Sequence, residues 1–253
     1  MIAPFRRRGV GSRQLPESES VIDLSREMSD LLAAFGAAAP GRGRTVQFVS
    51  AAAGEGTSTV AREFARLAAA RSARPVWLVD VDLLGETQFQ AVSLDPGRFG
   101  DLSGPSQASP DGSMFFAVQP PSRAPDGRPW PDARYLSAHA AMDRRLWVTR
   151  FRREALLPGQ SVRILRATGW WEALRRHADW IVVDSPTTAR SSAALALGAL
   201  MDSTVLVVGA ERTEAAAHAG LRDAVTGAGG QVAGMVLNRV KVRAPAFLRA
   251  LVS

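Results

Sequence analysis

Between Val46 and Thr59 the chain reads VQFVSAAAGEGTST, a stretch that leaves the backbone little choice. Val46, Phe48 and Val49 form a short apolar run suited to a buried strand. Ala51 to Gly56 is too small and glycine-rich to continue it, so the chain must turn there. A helical pattern then runs to about Arg71. Strand, glycine-rich loop and helix in this order gather backbone N–H groups at the positive end of a helix, a geometry suited to an anion. The phosphate-binding form of such a loop is G-x-x-x-x-G-K-[ST], in which the lysine reaches the terminal phosphates and the hydroxyl binds Mg²⁺. Here Ala51 takes the first glycine position, Gly56 the second and Ser58 the hydroxyl, while Thr57 stands where the lysine belongs. Taken alone, such a loop is equally well a plain strand-to-helix turn.

Two further stretches shift that balance. Val76 to Leu83 (VWLVDVDL) reads as a second buried strand running into Asp80 and Asp82, and Trp180 to Pro186 (WIVVDSP) as a third ending in Asp184. At the carboxyl ends of neighbouring parallel strands these acids face the same crevice as the loop. Downstream, the pattern predicts helices over Trp170 to His177, Ser191 to Met201 and from an N-cap at Thr213 to about Thr226. Strands are predicted over Ser203 to Gly209 and Val232 to Leu237. Strands alternating with helices imply an α/β chain, a doubly wound, mostly parallel sheet with helices on both faces, like that of P-loop NTPases.

With these motifs in order, the chain resembles the bacterial tyrosine kinases (BY-kinases) of capsule and exopolysaccharide synthesis, a branch of the P-loop ATPases that includes the MinD and ParA proteins. The resemblance rests on Gly54-Glu55-Gly56-Thr57-Ser58-Thr59, Leu78-Val79-Asp80-Val81-Asp82-Leu83 and Val183-Asp184-Ser185-Pro186. Ala210-Glu211-Arg212-Thr213 and Gly234-Met235-Val236-Leu237-Asn238 add to it. It implies ATP or ADP with Mg²⁺ as cofactors. Gly54, Glu55, Gly56, Thr57, Ser58 and Thr59 would hold the phosphates, with Asn238 near the base. Ser58, Asp82 and Asp184 would organise Mg²⁺, and Asp80 would activate the attacking group if the protein is active. Each acid is alternatively a strand-end residue that caps a helix or pairs with arginine.

The departures from the family carry as much information. Thr57 replaces the lysine, Leu84 the usual arginine of the second motif, Thr187 the second proline of the third, and Ala52 lacks the extra lysine of MinD and ParA proteins. Lys241, the sole lysine, lies beyond the last strand, so Arg62 or Arg190 would have to compensate. A charge-assisted hydrogen bond is worth about 1.5–3 kcal/mol, so its loss weakens triphosphate binding roughly ten- to a hundredfold. Phosphoryl transfer suffers more, because a single supplied arginine is worth about 10³–10⁵ in rate. Kinase members end in a tyrosine-rich tail, whereas the single tyrosine here is Tyr135.

Length and composition bound the rest. With 253 residues, 46% of them hydrophobic, the chain can bury a full core in one domain. We expect a flexible basic tail over residues 1–19, one domain over 20–243 with an irregular insertion over about 85–160, and a tail over 244–253 with no tyrosine cluster. Within the insertion, Met114 to Val118 and Leu146 to Phe151 look like strands, and Trp130, Tyr135 and Trp147 form either an interaction surface or core. A helix is expected from about Ser20 to Phe35, capped by Gly36. It would pack on its own domain, with a homo-oligomer left open. The absence of cysteine excludes disulfides, and His139, His177 and His218 are too scattered for a metal cluster. The net charge of +7 is almost wholly arginine, without a nucleic-acid motif, so nucleic acid is not an expected partner. No apolar h-region follows the tail and no apolar run is long enough to span a bilayer, so neither a signal peptide nor a transmembrane segment is expected.

Two readings of function follow. The first is a non-catalytic or weakly active regulatory component of exopolysaccharide synthesis and export. It would be cytoplasmic or peripheral at the inner membrane, and would act with a membrane-bound co-polymerase or chain-length regulator. The second is a working ATPase or tyrosine kinase in which an arginine or a partner residue replaces the lysine, as the retained Ser58, Asp80, Asp82 and Asp184 suggest. The first is favoured; a partitioning ATPase is disfavoured by Ala52 and Thr57.

Overall fold

The computed structural model describes residues 24–36, 41–212 and 215–240. The tails expected at the two ends, the Thr213 cap and Lys241 lie outside these residues, in whole or in part. The elements run α1 (Ser25–Phe35), β1 (Arg44–Ser50), α2 (Thr57–Arg71), β2 (Val76–Asp80), α3 (Thr87–Ser93) and α4 (Pro96–Phe99). Then follow β3 (Ser106–Gln107), β4 (Phe116–Gln119), β5 (Leu136–Ala141), β6 (Leu146–Phe151) and β7 (Ser161–Ile164). The chain continues with α5 (Gly169–His177), β8 (Trp180–Asp184), α6 (Ala193–Gly198), β9 (Ser203–Gly209), α7 (Ala215–Gly227) and β10 (Val232–Asn238).

Eight strands form one sheet in the order β10-β9-β1-β8-β2-β6-β5-β3, parallel from β10 to β6 and antiparallel beyond it. This is the mostly parallel α/β sheet that the alternating pattern predicts. Because side chains alternate across a strand, each central strand feeds both layers. Val46 and Phe48 of β1, Val76 and Leu78 of β2, and Trp180 and Val182 of β8 meet α1 to α4 on one face. Trp77, Val79, Ile181 and Val183 face the other way, onto a core that includes Trp170, Trp171 and Leu174 of α5. Helix α7 closes that side further along, with Leu221 and Val225 packed against Val49 and Leu206.

The middle of the chain differs most from expectation. Residues 85–160 include an irregular stretch but also extend the sheet: β6, at the expected Leu146–Phe151, pairs in parallel with β2, and β5 and β3 follow antiparallel. The physical reason is burial on both sides. Ser137 and His139 alternate with Leu136, Ala138 and Ala140 but are buried like them, so the short alternation of Leu136–Ala141 does not mark a half-exposed strand, and its alanines are weak strand formers. Of the aromatics there, Tyr135 is core, Trp147 stacks half-buried on Trp77, and Trp130 carries the Arg134 guanidinium 3.5 Å above its ring. Helix α6 is shorter than the predicted 191–201 because its last turn tightens, with Leu200 N–H on the Leu197 carbonyl, at the close approach of Gly198 to Gly230.

Candidate functional site

The carboxyl ends of β1, β2 and β8 open into one cavity of about 250 Å³, whose lining includes Gly54, Gly56, Ser58, Asp80, Asp82 and Asp184. The expected convergence of glycine-rich loop and acids is therefore present. Gly56 is the residue on which the loop turns into α2. Its φ of 90° is left-handed, and a Cβ there would collide with the Asn238 side-chain amide.

The loop is held by its own side chains. Glu55 is buried, and its carboxylate accepts N–H from Ala52 (2.9 Å) and Gly209 (3.1 Å) and meets His218 Nε2 at 2.7 Å. Burial works against that charge, but the two backbone donors and His218 outweigh it and hold the carboxyl below its ordinary range. Asn238 donates to the Glu55 carbonyl at 2.9 Å. Thr57, at the lysine position, is only 8% exposed and donates its hydroxyl to Ser50 Oγ at 2.7 Å. The residue that would carry a cation into the cavity is thus a neutral clasp across the base of the loop. Of the residues assigned to nucleotide binding, Gly54, Gly56, Thr57, Ser58 and Thr59 line the cavity. Glu55 and Asn238 do not; they brace the loop from behind.

Asp80 and Asp184 stand opposite one another in the β2–β8 register. Asp80 is bonded by the N–H groups of Asp82 (3.0 Å) and Gln88 (3.1 Å). Burial, and then the neighbouring Asp184 carboxylate, nevertheless raise its pKa to about 8. Asp184 is raised as well, by burial first, against hydrogen bonds from Ser58 and Gln88 and the nearby Arg62. Gln88 is the residue that sequence reading missed. Its amide donates to Asp184 at 2.7 Å and to the Ser58 carbonyl at 2.9 Å, so α3 ties the acids to the start of α2. A neutral side chain in the least patterned stretch offers no signal in the sequence.

Of the two arginines proposed to replace the lysine, Arg190 lines the cavity and pairs with Asp82 at 2.9 Å. Arg62 is not in the lining; it donates to Gln88 Oε1 at 3.2 Å and sits behind the acids. Arg239, at the end of β10 with φ 60°, is a further cation in the lining. Among the described residues no three His, Cys, Asp or Glu side chains form a ready metal cage. Asp184 Oδ1, however, is buried without a hydrogen-bond partner. A carboxylate oxygen left in that state on a residue of the cavity lining, with the Ser58 hydroxyl beside the same carboxylate, fits a hydrated divalent cation better than it fits solvent-free packing.

No protein-family model matches the sequence, and no curated protein does. Solved structures do match. The kinase domain of the Escherichia coli tyrosine kinase ETK superposes with a TM-score of 0.56 at 16% identity, over 86% of this chain and 74% of that one. The chimerical protein CapA2B2 superposes with a TM-score of 0.55 at 17% identity, over 84% of this chain and 81% of that one. The chain therefore has the fold of these solved structures, the tyrosine kinase domain of ETK among them.

Proposed function

We propose that the protein is a non-catalytic or weakly active relative of the bacterial tyrosine kinases, a regulatory component of exopolysaccharide or capsule synthesis and export. In this reading it works in the cytoplasm, at the inner membrane, through a membrane-bound co-polymerase or chain-length regulator. No helix among the described residues is long and apolar enough to cross a membrane; in this reading the partner provides the contact with the bilayer.

The observation that carries the proposal is the Thr57–Ser50 hydrogen bond, which fills the lysine position with a neutral tie. Gly54 to Thr59 would still cradle phosphates on backbone N–H groups, and Ser58, Asp82 and Asp184 would hold Mg²⁺. Mg²⁺ supplies charge neutralisation on phosphate oxygens when bound. Asp80 holds its proton to higher pH than an ordinary carboxylate, so it accepts a proton from an attacking group only once ionised. The cradle supports binding, while efficient transfer lacks its cation.

A titration calorimetry series with ADP and ATP, with and without Mg²⁺, tests this on the wild type and Thr57→Lys. We expect weak or absent binding by the wild type, tightened about ten- to a hundredfold by the lysine. Steady ATP turnover or phosphotransfer by the wild type would overturn the reading. Arg190 and Arg239 in the cavity lining motivate the competing one, a working enzyme with an arginine in place of the lysine. It requires turnover that falls in Arg190→Ala or Arg239→Ala.

A further inference from the structure

The loop cavity does not end at Asp82. A neighbouring cavity of about 260 Å³ shares Asp82, Pro186 and Arg190 with it and continues over Leu83 and Leu84 to Val162 and Ile164 of β7. A third, of about 610 Å³, shares Val162, Ile164 and Ser191 with the second and runs between β7 and the start of α6, past Arg163 and Arg166. Together they make one groove that leads from β7 into the site.

The wall of that groove is an open strand edge. Strands β4 and β7 form a separate two-stranded sheet, with Val162 opposite Val118 and Ile164 opposite Phe116. Leu165 N–H bonds the Phe115 carbonyl at 2.8 Å. An antiparallel ladder alternates, so the main-chain groups of Val162 and Ile164 point away from β4, towards the groove. Their side chains are half-buried against the core, which fixes the edge in place. Outside the loop cavity, where Asp80, Asp184 and Arg239 lie, the charged lining residues of the groove are Arg163, Arg166 and Arg190 against Asp82, which Arg190 already pairs. Neither Arg163 nor Arg166 has an ion-pair partner among the described residues; Arg166 donates to the Ala228 carbonyl at 3.2 Å.

We propose that β7 is a docking edge for an extended, acidic segment of a partner polypeptide, which adds as a strand in the groove and is directed towards the loop cavity at Arg190. Main-chain bonds to Val162 and Ile164 give affinity, and the arginines select acidic side chains. The inference rests on the reading that the protein acts through a partner, and specifies the chemistry that the partner must present.

Fluorescence anisotropy with the full-length protein tests it. The probes are a short labelled peptide of alternating glutamate and valine, its lysine counterpart, and the acidic peptide N-methylated on alternate main-chain amides. We expect micromolar binding of the acidic peptide, weakened about tenfold or more by N-methylation, by lysine, and in the Arg163→Glu/Arg166→Glu variant. Val162→Pro, which removes an N–H that faces the groove rather than β4, lowers affinity comparably, with circular dichroism as the control for folding. No saturation at about 1 mM peptide, or equal binding of the N-methylated or lysine peptide, overturns the proposal. So does self-association of the protein that competes with the peptide and is lost in Val162→Pro, which would assign the edge to a second copy. Nucleotide titration of the same samples separates the two readings. Failure of the peptide with a normal Thr57→Lys response removes docking alone, and peptide binding by a protein that turns over ATP removes the regulatory reading alone.

Discussion

A carboxylate buried beside another carboxylate is stabilised by keeping a proton or by meeting a cation. Asp80, whose pKa is raised from 3.8 to about 8, is in that position. The folded protein then holds a proton that the unfolded chain has released, so stability is greatest below the ordinary carboxylate range and falls as pH rises towards about 8. Asp80→Asn is therefore expected to raise the melting temperature above pH 8 and to change it little near pH 4, a difference that thermal melts across pH will show. At Gly56, where φ is 90°, an alanine is expected to cost more than about 1 kcal/mol and to displace Asn238 from the Glu55 carbonyl, measurable by urea unfolding. The acids were legible in the sequence because each ends an apolar run. Arg239 was not: it follows the last strand with no motif of its own and reaches the cavity through a left-handed backbone.

Helix α7 shows how an element outside the cavity can shape it. His218 projects from it onto Glu55, the acid at the centre of the loop's internal bonding. His218→Leu leaves that buried carboxylate with one fewer donor, and we expect a loss of about 1–3 kcal/mol with faster amide exchange over residues 51–56. Trp170 is wholly buried and its indole N–H donates to the Ala108 carbonyl at 3.0 Å. Trp170→Ala is expected to cost about 3–5 kcal/mol in the same unfolding assay. The elements that carry such weight were readable where a period or an acid marked them, as in β1, β2, β8 and β9. Strand β5 is buried on both faces and offered only a brief alternation, Leu-Ser-Ala-His, diluted by alanine, and β7 is shorter still.

Across the whole molecule, the sheet grades from a sealed centre to open borders. β1, β8 and β2 lie between layers on both faces, whereas β10 is an edge with Met235 and Leu237 exposed, and β3 is an edge of two exposed residues. Amide exchange is expected to be slowest in the central strands and fastest in β3, β10 and the β4–β7 pair; uniform protection would contradict this gradient. The parallel half of the sheet followed from alternating strands and helices. Its antiparallel extension did not, because residues 85–160 build it from pairings between strands whose patterns are weak. One consequence of the loop clasp reaches furthest. A shape already held by Thr57, Ser50, Glu55 and Asn238 needs no anion to form it, and a ligand that meets the same shape before and after binding shifts no equilibrium. In the proposed regulatory reading such a loop has low gain as a signalling device, and regulation would be written into which partner is bound rather than into whether the cavity is filled.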